Sequence, residues 1–438
     1  MSRITVTINN VCIFQITGMF NIIKQMKIFG GAALFMLGDR IRKLRKQKKL
    51  TLEALAGDGL TKGMLSLIEN NKAKPSMESL GYIAEGLGVE VTELLEEIST
   101  QELREVLEKA EKLYNQKSAD SYNELLTLIE PFKENLTQGY ESARLLDIYS
   151  RSLYEEKIAG WEAYADQAAT MYDQMNLTAR RAQMTIFRSM VNFIKHDYSN
   201  ALDLLVRERT EIELNHVYID PMSRVDLDYH EAILHFAIGD NAAASQVMES
   251  AIDFSKEHRI FYRINDLYRL GAGQALMFKN EEQLELYLRK LKQYGEFADD
   301  LPSILIHDLI VVMSLINVKQ DYSKALDIVN QYLAAPKMEE VVEDLYQLEK
   351  GKALFGLGQF SEALSYFEMV ETAATTHHPF DLALYYIRYP YKALCHWELG
   401  EREEALQAAQ VALNHFGTLP DSPFKEFAND VYKNLENS

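Results

Sequence analysis

The chain has 438 residues, 65 acidic against 46 basic side chains, and a formal net charge of −19. Its 47% apolar and 25% charged content is that of a globular chain and excludes wholesale disorder. Nine prolines and 21 glycines in this length point to helix, whose interior excludes both. The two cysteines, Cys12 and Cys395, cannot build a disulfide framework and fit a reducing cytoplasm. The acidic balance argues against a protein that coats nucleic acid along its whole surface.

Residues 1–35 are rich in Ile and Phe, with no helical period and no capping residue. Lys24 and Lys27 interrupt the apolar stretch, which fits neither a secretory signal nor a membrane span of about 20 apolar residues. Met36 directly precedes a helix-start pattern, and Gly30-Gly31 fits a purine-rich ribosome-binding site. The expectation is a start codon assigned too far upstream, or else a disordered extension.

Over 36–97 the spacing predicts five short helices. The first is DRIRKLRKQKK, with Ile41, Leu44 and Leu50 on its apolar side. Thr51 is placed to cap a second helix, Leu52–Ala56, because its hydroxyl can accept an orphan N–H. Gly57-Asp58-Gly59 reads as a turn, and Thr61 opens a third helix through Glu69. MESLGYIAEGLG and EVTELLEEI supply the fourth and fifth, with Leu80, Ile83, Ala84, Leu87 and Val89 as core. Two short helices joined by a glycine turn are a helix-turn-helix, whose second helix enters the major groove by its N-terminal end.

Charge agrees with that reading. Between Arg40 and Lys74 stand ten Lys/Arg against Glu53, Asp58 and Glu69, a local charge of +7. Such a patch releases counterions from phosphates. The candidate DNA contacts are Arg42, Lys46, Thr51, Thr61, Lys62, Gly63, Met64, Ser66, Asn71, Lys72 and Lys74. Gly63 would permit close approach, and Met64 could meet a thymine methyl. The string LRKQKKLTLEALA…LTKGMLSLIENNKAKPSMESLGYIAEGLGV resembles the Cro/C1 (XRE-type) repressor DNA-binding domain along its length. The resemblance implies a structural ion pair between Arg45 and Glu69. The turn, GDGLT, is one residue shorter than the family's usual one, which leaves the entry angle of the third helix open.

From residue 98 to the end the pattern is helix with a recurring turn. HDYSNAL, GDNAAAS, KNEEQLEL, QDYSKAL, GQFSEAL and GEREEAL place Ala201, Ala244, Leu284, Ala325, Ala363 and Ala405 at intervals of 43, 40, 41, 38 and 42 residues. Two weaker members put Leu125 and Tyr164 upstream, so about eight hairpins of roughly forty residues are expected, with PFKEFANDVYKNLENS as a capping helix. Gly351, Leu354, Gly358, Phe360, Ala363 and Phe367 fall at tetratricopeptide positions, and the resemblance to that repeat family covers roughly residues 103–415. The expected fold is all-α: a five-helix head followed by a right-handed superhelix whose first helices line a concave groove. Such a groove can hold a peptide through polar side chains. Candidates are Asp226, Tyr229, His230, Asp266, Arg269, Asp308, Asn317, Gln347, Lys350 and Arg388.

No P-loop, dinucleotide glycine fingerprint, nucleophile elbow or HExxH occurs, so no cofactor and no catalytic residue is assigned. His377-His378 has no nearby cysteine or third ligand, and no metal is assigned. The combination of head and array resembles the peptide-pheromone-responsive regulators of Gram-positive bacteria (the RRNPP group), most like the neutral protease regulator type. That resemblance implies a cytoplasmic transcription factor with operator DNA and a short signalling oligopeptide as partners. It implies a homodimer or homotetramer whose assembly the peptide alters, and no membrane. Two alternatives stand beside it. One is a response-regulator aspartate phosphatase-like protein that docks a receiver domain, with Gln101, Glu102, Glu105, Gln116 and Gln138 as available polar residues. The other is a prophage lysis–lysogeny regulator of the same architecture. Since residues 40–74 carry +7, the other 403 residues carry −26, which confines DNA contact to the head and suits a cationic peptide.

Overall fold

A computed structural model of the chain describes residues 37–437, apart from 92, 93, 95–99, 117, 118 and 335–339. The expectation for residues 1–35, most of the expected fifth helix of the head and the start of the expected linker near 96–102 lie outside the described residues. Among the described residues every regular element is helical, and no strand occurs. They form two compact units divided between Met184 and Thr185.

The first unit begins with the head: α1 (Leu37–Gln47), α2 (Leu52–Ala56), α3 (Lys62–Glu69) and α4 (Met77–Leu87). Three hydroxyls start the last three helices. Thr51 accepts from the Ala54 N–H, Thr61 from that of Met64 and Ser76 from that of Ser79, each at 3.1 Å. Ile41, Leu55, Leu65, Ile68, Ile83 and Leu87 form the core between them. Arg45 on α1 grips Glu69 on α3 through both carboxylate oxygens, at 2.6 and 2.8 Å, and its third donor reaches the Leu50 carbonyl at 2.8 Å. The short turn is held from outside. The Tyr82 hydroxyl of α4 accepts from the Asp58 N–H at 3.1 Å, and a Cβ at Gly57 or Gly59 would come within 2.4 or 2.3 Å of the Tyr82 side chain. Gly57 also has φ of 47°, so the turn needs glycine twice over.

After the head, consecutive helices pair as hairpins. In the first unit α5 (Thr100–Gln116) pairs with α6 (Ala119–Ile129), and α7 (Gly139–Glu155) with α8 (Trp161–Gln174). Helix α9 (Thr178–Ile194) carries the division between the units and is followed by α10 (Tyr198–Asn215). Next come α11 (Pro221–Ile238) with α12 (Asn241–His258), and α13 (Ile264–Met277) with α14 (Glu281–Ala298). Helix α15 (Leu301–Ser314), prolonged by a π turn over Leu315–Lys319, precedes α16 (Tyr322–Leu333). Then α17 (Glu340–Gly356) pairs with α18 (Phe360–Met369). The last hairpin joins α19 (Pro379–Tyr386) and α20 (Arg388–Glu398) to α21 (Arg402–Gly417), and α22 (Pro423–Glu436) covers it. The first helix of that hairpin breaks at Ile387 because Pro390 has no N–H for the Tyr386 carbonyl.

One packing rule recurs. Ala201, Ala244, Ala325, Ala363 and Ala405, each the fourth residue of the second helix of its hairpin, are 0% exposed. A methyl there lets the two axes close to the short end of the usual 8–10 Å. In the hairpin of Trp161–Gln174 the half-buried Tyr164 yields that place to Ala165, one residue later. Aromatic rings of α14 and α18 rest on glycines of the helices before them: a Cβ at Gly271 would lie 2.8 Å from Tyr287, and at Gly351 2.6 Å from Phe367. The stretch Leu301–Lys319 is long and apolar enough by composition to cross a membrane, yet Ile306, Leu309, Ile310, Val312 and Met313 are core residues of the second unit.

Within the second unit, residues distant in sequence meet. The Tyr198 hydroxyl donates to the His377 carbonyl at 2.7 Å, and the rings of His196 and His377 approach to 3.4 Å. His378 accepts from the Phe380 N–H at Nδ1 (3.1 Å) and turns Nε2 to the Ile233 carbonyl at 3.3 Å, which fixes a neutral tautomer. Burial pushes His378 down to about 3, and burial beside His196 pushes His377 down to about 4.

Two predictions follow from this packing. Gly351→Ala should lower the melting temperature despite its better helix propensity, because the Phe367 ring must move. Gly81→Ala on α4, where a Cβ meets nothing within 4 Å, should stabilise by up to about 1 kcal/mol; calorimetry on both variants checks the pair. Below about pH 6.5 the unfolded chain protonates His378 while the folded one does not. Stability should therefore be full above that pH and fall as pH drops towards 4, by about 1.4 kcal/mol per pH unit for this one group. Urea titrations at pH 7, 6 and 5 should show a shallower fall in His378→Gln.

Candidate nucleic-acid interface and ligand-facing residues

The exposed end of α3 carries Thr61, Lys62, Gly63 and Met64 side by side, all open to solvent, with Ser66 half-buried behind them. The Thr61 oxygen is occupied by the Met64 N–H, which leaves its own hydrogen to donate to a phosphate. The unpaired N–H groups of the first turn add a partial positive charge at the same place. A Cβ on Gly63 would meet nothing within 4 Å, so this stretch of backbone is bare. Met64 is 45% exposed, as is Leu67, an apolar pair beside the helix start.

The ten cations of the head divide into two sets. Five have partners: Arg40 donates to the Leu94 carbonyl, Arg45 pairs with Glu69, Lys48 reaches the Leu87 carbonyl at the end of α4, Lys43 meets Glu102 at 3.4 Å, and Lys62 makes an exposed pair with Glu53. Hydrogen bonding to Lys62 lowers the Glu53 carboxyl from its usual range. Arg42, Lys46, Lys49, Lys72 and Lys74 are exposed and make no ion pair among the described residues. Of the sequence candidates, Asn71 is otherwise engaged. Its oxygen accepts from the Gly38 N–H and its amide donates to Asp39, both at 2.8 Å, so it ties the start of α1 to the end of α3. Thr51 caps α2. Of the five exposed cations without an ion pair, Lys49 is the one outside the candidate set; it has φ of 56° just past the end of α1.

In the second unit, Asp226, Tyr229, Asp266 and Arg269 do come together, around a residue that the sequence reading missed. Arg263, in the turn before α13, donates to Asp226 at 2.9 Å and Asp266 at 3.1 Å and lies 4.9 Å over the Tyr229 ring. It precedes the helix and so falls outside helical spacing. Burial opposes the charge of Arg269, but Asp266, at 2.9 Å, with Tyr229 and Asp381, overcomes it. Burial pushes Tyr229 up to about 12 and His230 down. Tyr229, His230 and Arg269 are all buried, so none faces solvent as a groove residue would.

The remaining candidates stand apart from this cluster. Asp308 joins His307 (2.7 Å) and the Tyr332 hydroxyl. Asn317 sits in the π turn, and Gln347 bonds Glu343 on its own helix at 3.1 Å. Lys350 lies 4.5 Å over the Tyr366 ring. Arg388 is buried, bonded to Thr372, the Tyr385 carbonyl and the Tyr389 hydroxyl. In the first unit an open groove of about 800 Å³ runs between α5 and α7, lined by Arg104, Leu107, Glu108, Lys112, Gln116 and Tyr140 among others. Gln116 alone of the polar residues weighed for a receiver domain lines it: Glu102 meets Lys43, Gln101 bonds Glu105 at 3.3 Å, and Gln138 precedes α7 without capping it.

Residues 38–99 match the family described as Helix-turn-helix domain, which makes the head a DNA-binding module of that class. The chain is related at low identity to three of the solved structures similar to it. It is 19% identical to PlcR of Bacillus thuringiensis in complex with the peptide PapR7 and DNA, over 61% of this chain and 96% of that one, with a TM-score of 0.34. It is 15% identical to the apo competence regulator ComR of Streptococcus vestibularis, over 91% and 97%, with a TM-score of 0.24. It is 16% identical to ComR of S. thermophilus in complex with DNA and its signalling peptide ComS, over 92% and 100%, with a TM-score of 0.24. No curated protein sequence matches the chain.

Gly63→Ala separates fold from recognition. The methyl should leave the head folded, or stabilise it by up to about 1 kcal/mol, while weakening DNA binding where a phosphate or base edge would approach that backbone. Thermal denaturation and fluorescence anisotropy on the same preparation read the two effects.

Proposed function

We propose that the protein is a transcription regulator that reads operator DNA through Thr61–Ser66 of α3. The arm of Arg42, Lys46, Lys72 and Lys74 engages the phosphates. The carrying observation is the bare, positively polarised start of α3 among cations that the fold leaves unpaired. The rest of the chain is its sensory part, taking a short signalling oligopeptide as PlcR takes PapR7 and ComR takes ComS. Polar side chains on the first helices of the hairpins are the contacts, and the peptide alters self-association of a homodimer or homotetramer in the cytoplasm. One small head grips DNA weakly, so the spacing of two heads decides which operator is bound. A peptide can shift that spacing only by binding one assembly better than the other.

Selection from a random duplex pool tests the first part. A recovered site of two half-sites should bind with a salt slope that falls by about 1 for each of Lys46→Ala and Lys72→Ala. No enriched sequence would count against it. Light scattering after size exclusion, with peptides from a small open reading frame next to the gene, should show a change of mass; no change with any of them would overturn the sensory part.

A further inference from the structure

Each turn that leads into a second helix of the second unit holds one residue at positive φ, two places before the helix. These residues are His196, Gly239, Lys279, Gln320, Gly358 and Gly400. Lysine, glutamine and glycine fill the place as well as histidine, so the backbone at 196 does not call for an imidazole. The ring has neighbours of its own. Nε2 of His196 stands 3.4 Å from Nδ1 of His377, 181 residues later. Tyr198 braces both residues. Its ring stacks on that of His196 with centroids 5.8 Å apart, and its hydroxyl donates to the His377 carbonyl at 2.7 Å. The adjacent His378 turns away from the pair, with its nitrogens at the Phe380 N–H and the Ile233 carbonyl.

Two neutral imidazoles share at most one N–H···N bond, and 3.4 Å is long for it against about 3 Å. The spacing suits a shared metal ion better. Two nitrogens about 2.0–2.1 Å from zinc at the tetrahedral angle lie about 3.3–3.4 Å apart. The right angle of a square or octahedral site would bring them to roughly 2.9 Å. Burial lowers His196, and burial beside His196 lowers His377 to about 4, so both rings are neutral at neutral pH. His196 is exposed and His377 half-buried, which leaves the pair open to an ion from solvent.

We propose that Nε2 of His196 and Nδ1 of His377 are two ligands of a Zn2+-type cation, with Tyr198 as the positioning residue that sets their spacing. Among the described residues no third His, Cys, Asp or Glu joins the pair, so water fills the remaining positions and the site is an open one. The ion ties the turn before α10 to the connection before α19. His377-His378 lacks a further ligand close in sequence, and the fold brings one from the other end of the unit. The inference does not rest on the sensory reading.

Zn2+ titration of the tag-free full chain against a chromophoric chelator reads the site. The wild type should take up one equivalent more than His196→Asn or His377→Ala, and the double variant should lose no more than either single one. Asparagine is chosen at 196 because it tolerates φ of 61°. Tyr198→Phe should keep that equivalent at roughly tenfold weaker affinity, as loss of an outer hydrogen bond does. Equal uptake by the wild type and both single variants would overturn the proposal. Should a variant lose helicity by circular dichroism, the wild type alone decides. Zn2+ should then protect His196 and His377 from diethyl pyrocarbonate, read by mass spectrometry. Unchanged modification of both at saturating Zn2+ would overturn it.

Discussion

Much of the body of this protein depends on one steric constraint, a side chain no larger than a methyl at five of the places where the second helix of a hairpin crosses the first, while Leu284 fills the corresponding place in α14. Ala201, Ala244, Ala325, Ala363 and Ala405 occupy that crossing with no exposed surface. In the hairpin of Ala363 a larger residue would push the axes apart and open a void beside the ring of Phe367, which lies against the Gly351 backbone in the neighbouring helix. Each hairpin keeps a second apolar face that only its neighbour can cover. In the second unit this produces a long core running from Met190 to Ala428, with a smaller one of Ala393, Ala405, Ala409, Val431 and Leu435 at the last hairpin.

The head obeys a different economy. Its small core is supplemented by polar ties that reach between helices: Arg45 to Glu69, Asn71 to Gly38 and Asp39, and Lys48 to the end of α4. These ties draw on the residue types that would otherwise serve DNA. Four of the ten cations are committed to the fold, Lys62 is held by an exposed pair with Glu53, and the five that remain unpaired among the described residues set most of the charge available to phosphates. The local +7 therefore describes solubility and long-range attraction, whereas the number of phosphate contacts depends on which ammonium and guanidinium groups stay in water.

Several features were legible in the sequence because they are local. Thr51 and Thr61 cap the helices they precede, since a hydroxyl before an apolar period has an orphan N–H within reach. The Arg45–Glu69 pair is formed as the Cro/C1 resemblance implies. The glycine turn, one residue short, keeps α2 against α3 because Tyr82, 23 residues later than Gly59, supplies the surface it rests on. No local pattern announces that surface. Arg263 was illegible for the same reason: it stands in a turn, and its carboxylate partners Asp226 and Asp266 come from two helices.

Periodicity, capping and composition by themselves determined an all-helical chain with a basic head, because those signals act within one or two turns of helix. Which surfaces remain open was decided only by tertiary structure. Tyr229, His230 and Arg269 sit on first helices, where helical spacing alone would leave them facing a groove. All three are buried instead, with Arg263 over the Tyr229 ring, His230 bonded to the Asp226 carbonyl and Arg269 paired with Asp266. Burial is a property of everything that packs on a residue, and a neighbour such as Arg263, standing in a turn, is one that no pattern of spacing reveals.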